Sequence, residues 1–283
     1  MKCKVCPLIV SLIVLWASSC NSKVFYDYER YGLNCPVKSV KVTTYKAESK
    51  FGDIVKDVLA WDGHYLVKFN TIGNLEEISW FDHEGTLYSV DQYKYNDNNK
   101  IVEIASYNYE GALEYRVIYE YVDDKIRSYI STSFWNNIER KRTFNHKWDG
   151  EYIIETDELV NGELESKTKY TNPCKNSREW VEYDKDGKEV LRGYEEYDDC
   201  RRIIKRNEGD LHIEVQWNEK NLPTHLKNAR LYMNTIISWS DSGNDGEYYV
   251  EYEYDKKGNW IKQIVYEGKI KNPQTISERI ITY

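Results

Sequence analysis

Apolar and polar residues alternate along most of this chain in short runs divided by turn residues. In VEYEYD, Val250, Tyr252 and Tyr254 fall on one side, and Glu251 and Glu253 on the other. In RVIYEY, residues 116–121, Val117, Tyr119 and Tyr121 share a side. Period two over such lengths predicts strands with one buried face. No stretch shows three turns of an amphipathic helix. Asp-Gly and Gly-Asn pairs between the runs supply the positive φ that tight hairpins need.

The pattern repeats. FNTIGNLEEISW starts at Phe69, YNDNNKIVEIASY at Tyr95 and YVDDKIRSYISTSF at Tyr121, in two steps of 26 residues. Weaker copies start at Trp148, Tyr197, Trp217 and Tyr254. Second turns divide the units, as in FDHEGTL (81–87), YNYEGAL (107–113), YDKDGKEV (183–190) and YEGKI (266–270). A turn every 12 to 14 residues predicts an all-β fold, a long antiparallel β-meander of roughly fourteen to eighteen strands. A sheet that wide curls or splits under strand twist, so the expectation is a curled open sheet or a partial barrel. Its inner face is expected to carry Tyr, Trp, Ile, Val and Leu, and its outer face Lys, Glu and Arg. The 26 Tyr and only five Pro fit strands held by cross-strand aromatic pairs.

The N-terminus reads as a secretory signal. Lys2 and Lys4 precede an apolar stretch from Leu8 to Trp16, then Ala17, Ser18 and Ser19, then Cys20. The small residues before a Cys resemble a bacterial lipobox, which implies cleavage before Cys20 and lipid on its sulfur. Ala17 stands where such signals usually carry Leu. The domain reading is therefore a signal peptide over 1–19, a lipidated tether over 20–32 and one β-repeat domain over 33–283. The export route places the chain in the cell envelope, on the outer membrane, with the face left open. Without residues 1–19 the chain has 37 basic and 47 acidic residues, a net charge of −10 in place of −8. A globally acidic surface repels phosphate backbones and disfavours nucleic acid as a partner.

Cys35, Cys174 and Cys200 form no C-x-x-C pair. Cys174 and Cys200 stand one repeat of 26 residues apart. That puts them two strands apart, about 9–10 Å at ~4.8 Å per strand, against the roughly 7 Å a disulfide tolerates.

YDKKGNWIKQIVYE and FNTIGNLEEISW resemble the YD repeats of RHS-type proteins, whose consensus is Tyr-Asp-x-x-Gly-Asn and then an apolar residue. The matching positions are Tyr254, Asp255, Gly258, Asn259 and Trp260, and more loosely Phe69, Asn70, Gly73, Asn74 and Leu75. The chain as a whole resembles YD-repeat-like lipoproteins of Bacteroidetes. The resemblance implies a scaffold and carries no catalytic residue to this chain. Full RHS proteins wrap cargo in a shell and end in a self-cleaving module and a toxin; neither module is read after ERIITY.

Motif chemistry is sparse. His64, His83, His146, His212 and His225 show neither the i, i+4 nor the i, i+2 spacing of a metal site. His83 beside Glu84 reads as a solvated turn residue. Glu182, Asp184 and Asp186 resemble the opening of a calcium loop, but Gly193 stands where that loop needs its Glu. Ser166 and Lys169 fit Ser-x-x-Lys, yet positions i and i+3 of a strand face opposite ways. No metal, cofactor or catalytic set is expected. Tryptophans recur near turns at 61, 80, 135, 148, 180, 217, 239 and 260. Trp80, Trp135, Trp148, Trp217 and Trp260 are the candidate aromatic binding surface, against the plainer reading that they fill the inner face. The functional expectation is a non-enzymatic envelope lipoprotein, membrane-held through Cys20, presenting a surface to a glycan or protein partner. The alternatives are an immunity or accessory protein of an RHS-like toxin system, or an envelope glycosidase. Departures from the repeat, chiefly residues 205–250 and the N-terminal NCPVKSVKVTTYKAESKFGDIVK (34–56), are where a site is expected.

Overall fold

The computed structural model describes residues 27–135, 138–174, 176–232, 235–238, 246–269 and 271–283. The signal peptide and Cys20 lie outside the described residues. One helical turn, α1 (Asp27–Arg30), leads into β1 (Ser39–Lys50), β2 (Asp53–Leu59), β3 (His64–Phe69), β4 (Leu75–Phe81), β5 (Leu87–Tyr95), β6 (Ile101–Asn108) and β7 (Leu113–Val122). Then come β8 (Lys125–Trp135), β9 (Ile138–Asp149), β10 (Tyr152–Val160), β11 (Glu163–Cys174), β12 (Ser177–Asp184), β13 (Glu189–Tyr197) and β14 (Ile203–Glu208). The last are β15 (Leu211–Trp217), β16 (Pro223–Lys227), β17 (Ala229–Tyr232), β18 (Thr235–Ser238), β19 (Glu247–Tyr254), β20 (Trp260–Glu267) and β21 (Asn272–Thr282).

Each strand from β3 to β16 pairs antiparallel with the next, and β16 continues to β19, β20 and β21. β1 then joins the two ends: Val40 pairs with Val67 of β3 on one side and with Ile281 of β21 on the other. The meander is therefore a closed barrel of 18 strands, and the expected open sheet or partial barrel is corrected. Closure leaves no free edge in the ring, which open sheets must otherwise protect. β2 pairs on β1 alone among the described residues and forms a hairpin standing off the ring. β17 and β18 form a separate hairpin.

Eight turns share one construction. Each begins with an aromatic residue and an Asx: Phe69-Asn70, Phe81-Asp82, Tyr95-Asn96, Tyr107-Asn108, Tyr183-Asp184, Tyr197-Asp198, Trp217-Asn218 and Tyr254-Asp255. The Asx Oδ1 accepts the backbone N–H groups two and four residues on; Asp255, for example, takes Lys257 and Asn259, both at 2.9 Å. The residue three after the Asx has positive φ. It is glycine in five turns (Gly73, Gly85, Gly111, Gly187, Gly258) and Asn99, Arg201 or Asn221 in the others. The pairing register slips at each of the eight aromatic residues, so the outgoing strand carries one bulged residue.

Turns after β3, β5, β7, β9, β11, β13, β15 and β19 lie at one end of the barrel, and those after β4, β6 and β12 at the other. At the first end the chain enters through residues 27–37, which lie on the inner face as a plug. Asp27 Oδ2 accepts from the Leu75 N–H at 3.0 Å and the Tyr95 hydroxyl at 2.7 Å. The Asn34 N–H donates to Asn259 Oδ1 at 2.7 Å, on the far side of β1. Tyr28, Leu33 and Val37 are buried against Val40, Val67, Phe69 and Ile78. The segment expected as tether thus ends in packed structure. Arg279 Nη1 donates to the Tyr31 carbonyl at 2.7 Å, and its guanidinium lies 3.4 Å over the Trp260 ring. Burial pulls the Arg279 pKa down to about 10, so it stays charged at neutral pH.

The two faces of the wall differ. The inner face carries Val40, Tyr65, Val67, Ile78, Ile104, Val117, Tyr119, Ile213, Val215 and Leu226, all buried. Its concavity brings distant strands together: burial, then the hydroxyls of Tyr119, Tyr115 and Tyr170, push Tyr129 up, although β9 and β10 separate Tyr129 from Tyr170. The outer face carries a cross-strand ladder of charge. Lys68 reaches Glu77 at 2.8 Å, and Glu103 holds Lys94 at 3.2 Å and Arg116 at 3.1 Å. Glu155 pairs with Lys147 and Lys167, and Lys167 also with Asp157 at 2.8 Å. The expected apolar inner face holds for most of the ring but not for β9 to β14. There Arg142 faces Glu158 at 3.4 Å, and Glu195 joins Arg178 at 2.5 Å and Arg206 at 3.6 Å.

Candidate functional site

The residues that resemble the YD repeat are occupied by turn geometry. Asp255 caps its own turn and also accepts the Tyr283 hydroxyl at 2.6 Å. Gly258 supplies φ of 81°, and Asn259 is fully buried against the plug. Asp184 is likewise consumed by the N–H groups of Asp186 and Lys188. Ser166 donates to Glu158 on the inner face, while Lys169 lies over Tyr183 on the outer face. Among the described residues no three His, Cys, Asp or Glu side chains gather in an arrangement that could hold a metal. Cys35 and Cys200 are free thiols.

The five candidate tryptophans are not gathered into one row. Trp80, Trp148 and Trp217 sit on the inner face of β4, β9 and β15, five and six strands apart. Each is half-buried with its indole N–H committed: Trp80 to Asp91 at 2.8 Å, Trp148 to the Ile126 carbonyl at 2.8 Å and Trp217 to the Ile203 carbonyl at 2.9 Å. Trp260 is 1% exposed. The Trp135 side chain lies outside what the structure describes.

A concave site does occur within residues 205–250, where the repeat breaks. Between β16 and β19 the chain leaves the ring and returns, and β16 pairs with β19 across that gap. The pairing sets His225 opposite Tyr249, with the rings stacked at 4.7 Å and 16°. Glu247 Oε1 accepts the Tyr249 hydroxyl at 2.9 Å and lies 2.9 Å from His225 Nε2. The Tyr249 bond holds the Glu247 carboxyl below the usual carboxylate range; burial opposes it, and His225 and Lys269 add smaller lowering effects. A hollow of about 550 Å³ opens here on the outer wall, lined also by His212, Glu214, Lys227, Asn228 and Lys269. Asn228 donates to the His212 carbonyl at 2.7 Å and fixes one side of it. An aromatic platform, two carboxylates, an amide and two ammonium groups suit a polyhydroxylated or mixed-charge ligand. Sequence reasoning pointed to the segment but missed His225, Glu247 and Tyr249 as a group. Only strand pairing across the excursion makes them neighbours.

No family model and no curated protein matches this chain. Among solved structures, the chain is similar to a porin-like protein from Bacteroides uniformis ATCC 8492, at 12% identity and a TM-score of 0.38, over 87% of this chain and 96% of that one. It is similar to a porin-like protein from Bacteroides vulgatus ATCC 8482, at 9% identity and a TM-score of 0.38, over 88% and 99%. A DUF1329 family protein from Desulfovibrio piger ATCC 29098 matches at 8% identity and a TM-score of 0.16, over 87% and 86%.

Proposed function

We propose that this protein is a non-enzymatic envelope lipoprotein, held to the outer membrane through Cys20, whose barrel stands in water and presents a binding surface to a glycan or protein partner. The observation that carries this reading is the charge on the outer wall. Lys94, Glu103 and Arg116 form one continuous ion-paired row across three neighbouring strands. Facing hydrocarbon, each such cation would cost about 2–4 kcal/mol near the bilayer midplane. A wall of this kind is at ease in water, so attachment falls to the N-terminal segment, which enters at the plug end. The hollow at His225 and Glu247 is the leading place for a partner.

The test is to produce the chain from Ser22, which holds every described residue, without detergent. A monodisperse monomer supports the reading, and a species that stays soluble only in detergent overturns it. The same material goes to a glycan array and an envelope pull-down, with His225→Ala as the comparison. Full-length Cys20→Ser is expected to leave the membrane fraction.

A further inference from the structure

We infer that a second site, on the rim around Trp61, binds the ring of a sugar. This rests on the reading of the barrel as a binding module and gives it a ligand class. Trp61 is 70% exposed. Its indole stacks on the His83 ring at 4.4 Å and 22°, which leaves the opposite indole face to solvent.

Both rings stand on pinned supports. Below Trp61, the buried His64 uses both ring nitrogens, with Nδ1 accepting the Thr44 N–H at 3.3 Å and Nε2 donating to the Ala60 carbonyl at 2.8 Å. The Ala60 N–H in turn donates to the Thr44 carbonyl at 2.9 Å, and the Thr44 hydroxyl donates to the Gly63 carbonyl at 2.9 Å. A Cβ on Gly63 would lie 2.7 Å from Thr44 Oγ1, and its φ is 87°, so this loop accepts only glycine there. His83 sits on a turn whose Asp82 Oδ1 accepts the N–H groups of Glu84 and Thr86 at 2.9 and 2.8 Å.

Around the platform are groups that accept hydroxyl hydrogens. Asp62 follows Trp61 in the chain, and Asp82 and Glu84 flank His83; burial, then Asp91, Asp62 and Asp82, push the neighbouring Tyr88 hydroxyl up. Glu84 lies 4.0 Å from His83 Nε2. A pyranose offers an apolar C–H face to an indole and hydroxyl donors at its edge to carboxylates, and this rim supplies both. A fixed aromatic face loses little freedom on binding, which is what preorganised sites exploit.

Affinity electrophoresis of the chain from Ser22 in gels containing laminarin, mannan, pullulan or chitosan tests this. Retardation by at least one polysaccharide is expected, weakened at least tenfold by Trp61→Ala and partly by His83→Ala, and unchanged by Phe51→Ala, which removes an exposed ring elsewhere. Trp61→Ala should keep the wild-type circular dichroism and Tm, because the ring is exposed. Retardation that survives Trp61→Ala overturns the inference. Loss through His225→Ala alone also overturns it while leaving the proposed function standing. No retardation by any of the four overturns the sugar site, and a protein captured in the envelope pull-down would then still support the binding-module reading.

Discussion

His146 shows how much the inner wall asks of a single side chain. It sits on β9 beside Tyr129, with ring centroids 5.7 Å apart, and its Nδ1 lies 2.9 Å from Thr156 Oγ1. Burial lowers its pKa from 6.5 to about 4. The unfolded chain therefore takes up this proton near pH 6.5, and the folded barrel only near pH 4. Above pH 6.5 the residue contributes nothing to pH dependence. As pH falls from there towards 4, the unfolded state gains and stability is lost, at roughly 1.4 kcal/mol per unit. Between pH 7 and 5 the wild type should lose about 2 kcal/mol through His146. Urea midpoints measured across this range should flatten in His146→Gln; an unchanged slope would refute the assignment.

At the scale of the element, the aromatic-Asx turn is the unit from which the barrel is built. Its two conditions are a side-chain oxygen that takes two N–H groups and a residue three positions later with positive φ. Gly187 separates these conditions cleanly. Its φ is 81°, and a Cβ there would meet nothing within 4 Å. Gly187→Ala therefore adds no clash and reports only the backbone, with an expected loss of about 1 kcal/mol in urea unfolding. Asp184→Ala removes the acceptor for Asp186 and Lys188 and should cost a similar amount. The turn was legible in the sequence because both conditions are local. The bulge that accompanies it was not, because it is a property of two paired strands. Nor did spacing show that Trp148 and Trp217 donate to carbonyls one strand back.

For the whole molecule the decisive contact is the seam. β21 pairs with β1 over eight positions, from Ser39 opposite Thr282 to Lys46 opposite Thr275. Removing residues 272–283 would leave β1 and β20 with unpaired edges and open the inner wall to water. The truncated chain should lose cooperative thermal unfolding and associate on size exclusion. A monomer with the wild-type Tm would show that closure is not what stabilises the ring. The polar sector follows from strand pairing: Arg178 and Arg206 face Glu195 from its two neighbouring strands, and Arg142 meets Glu158 across β9 and β10.

The sequence by itself determined the strands, their turns and which side chains share a face. These follow from period two and from Asx and glycine positions, all written within a few residues of one another. It also marked residues 34–56 and 205–250 as the breaks in the pattern. Only the tertiary structure decided that the meander closes, that residues 27–37 plug one end, that His225 meets Glu247 and Tyr249, and that Trp61 rests on His83. Each of these joins segments whose separation along the chain carries no periodic signal. The same repeat fits an open or a closed sheet equally well, and long-range pairing at the seam is what chooses between them.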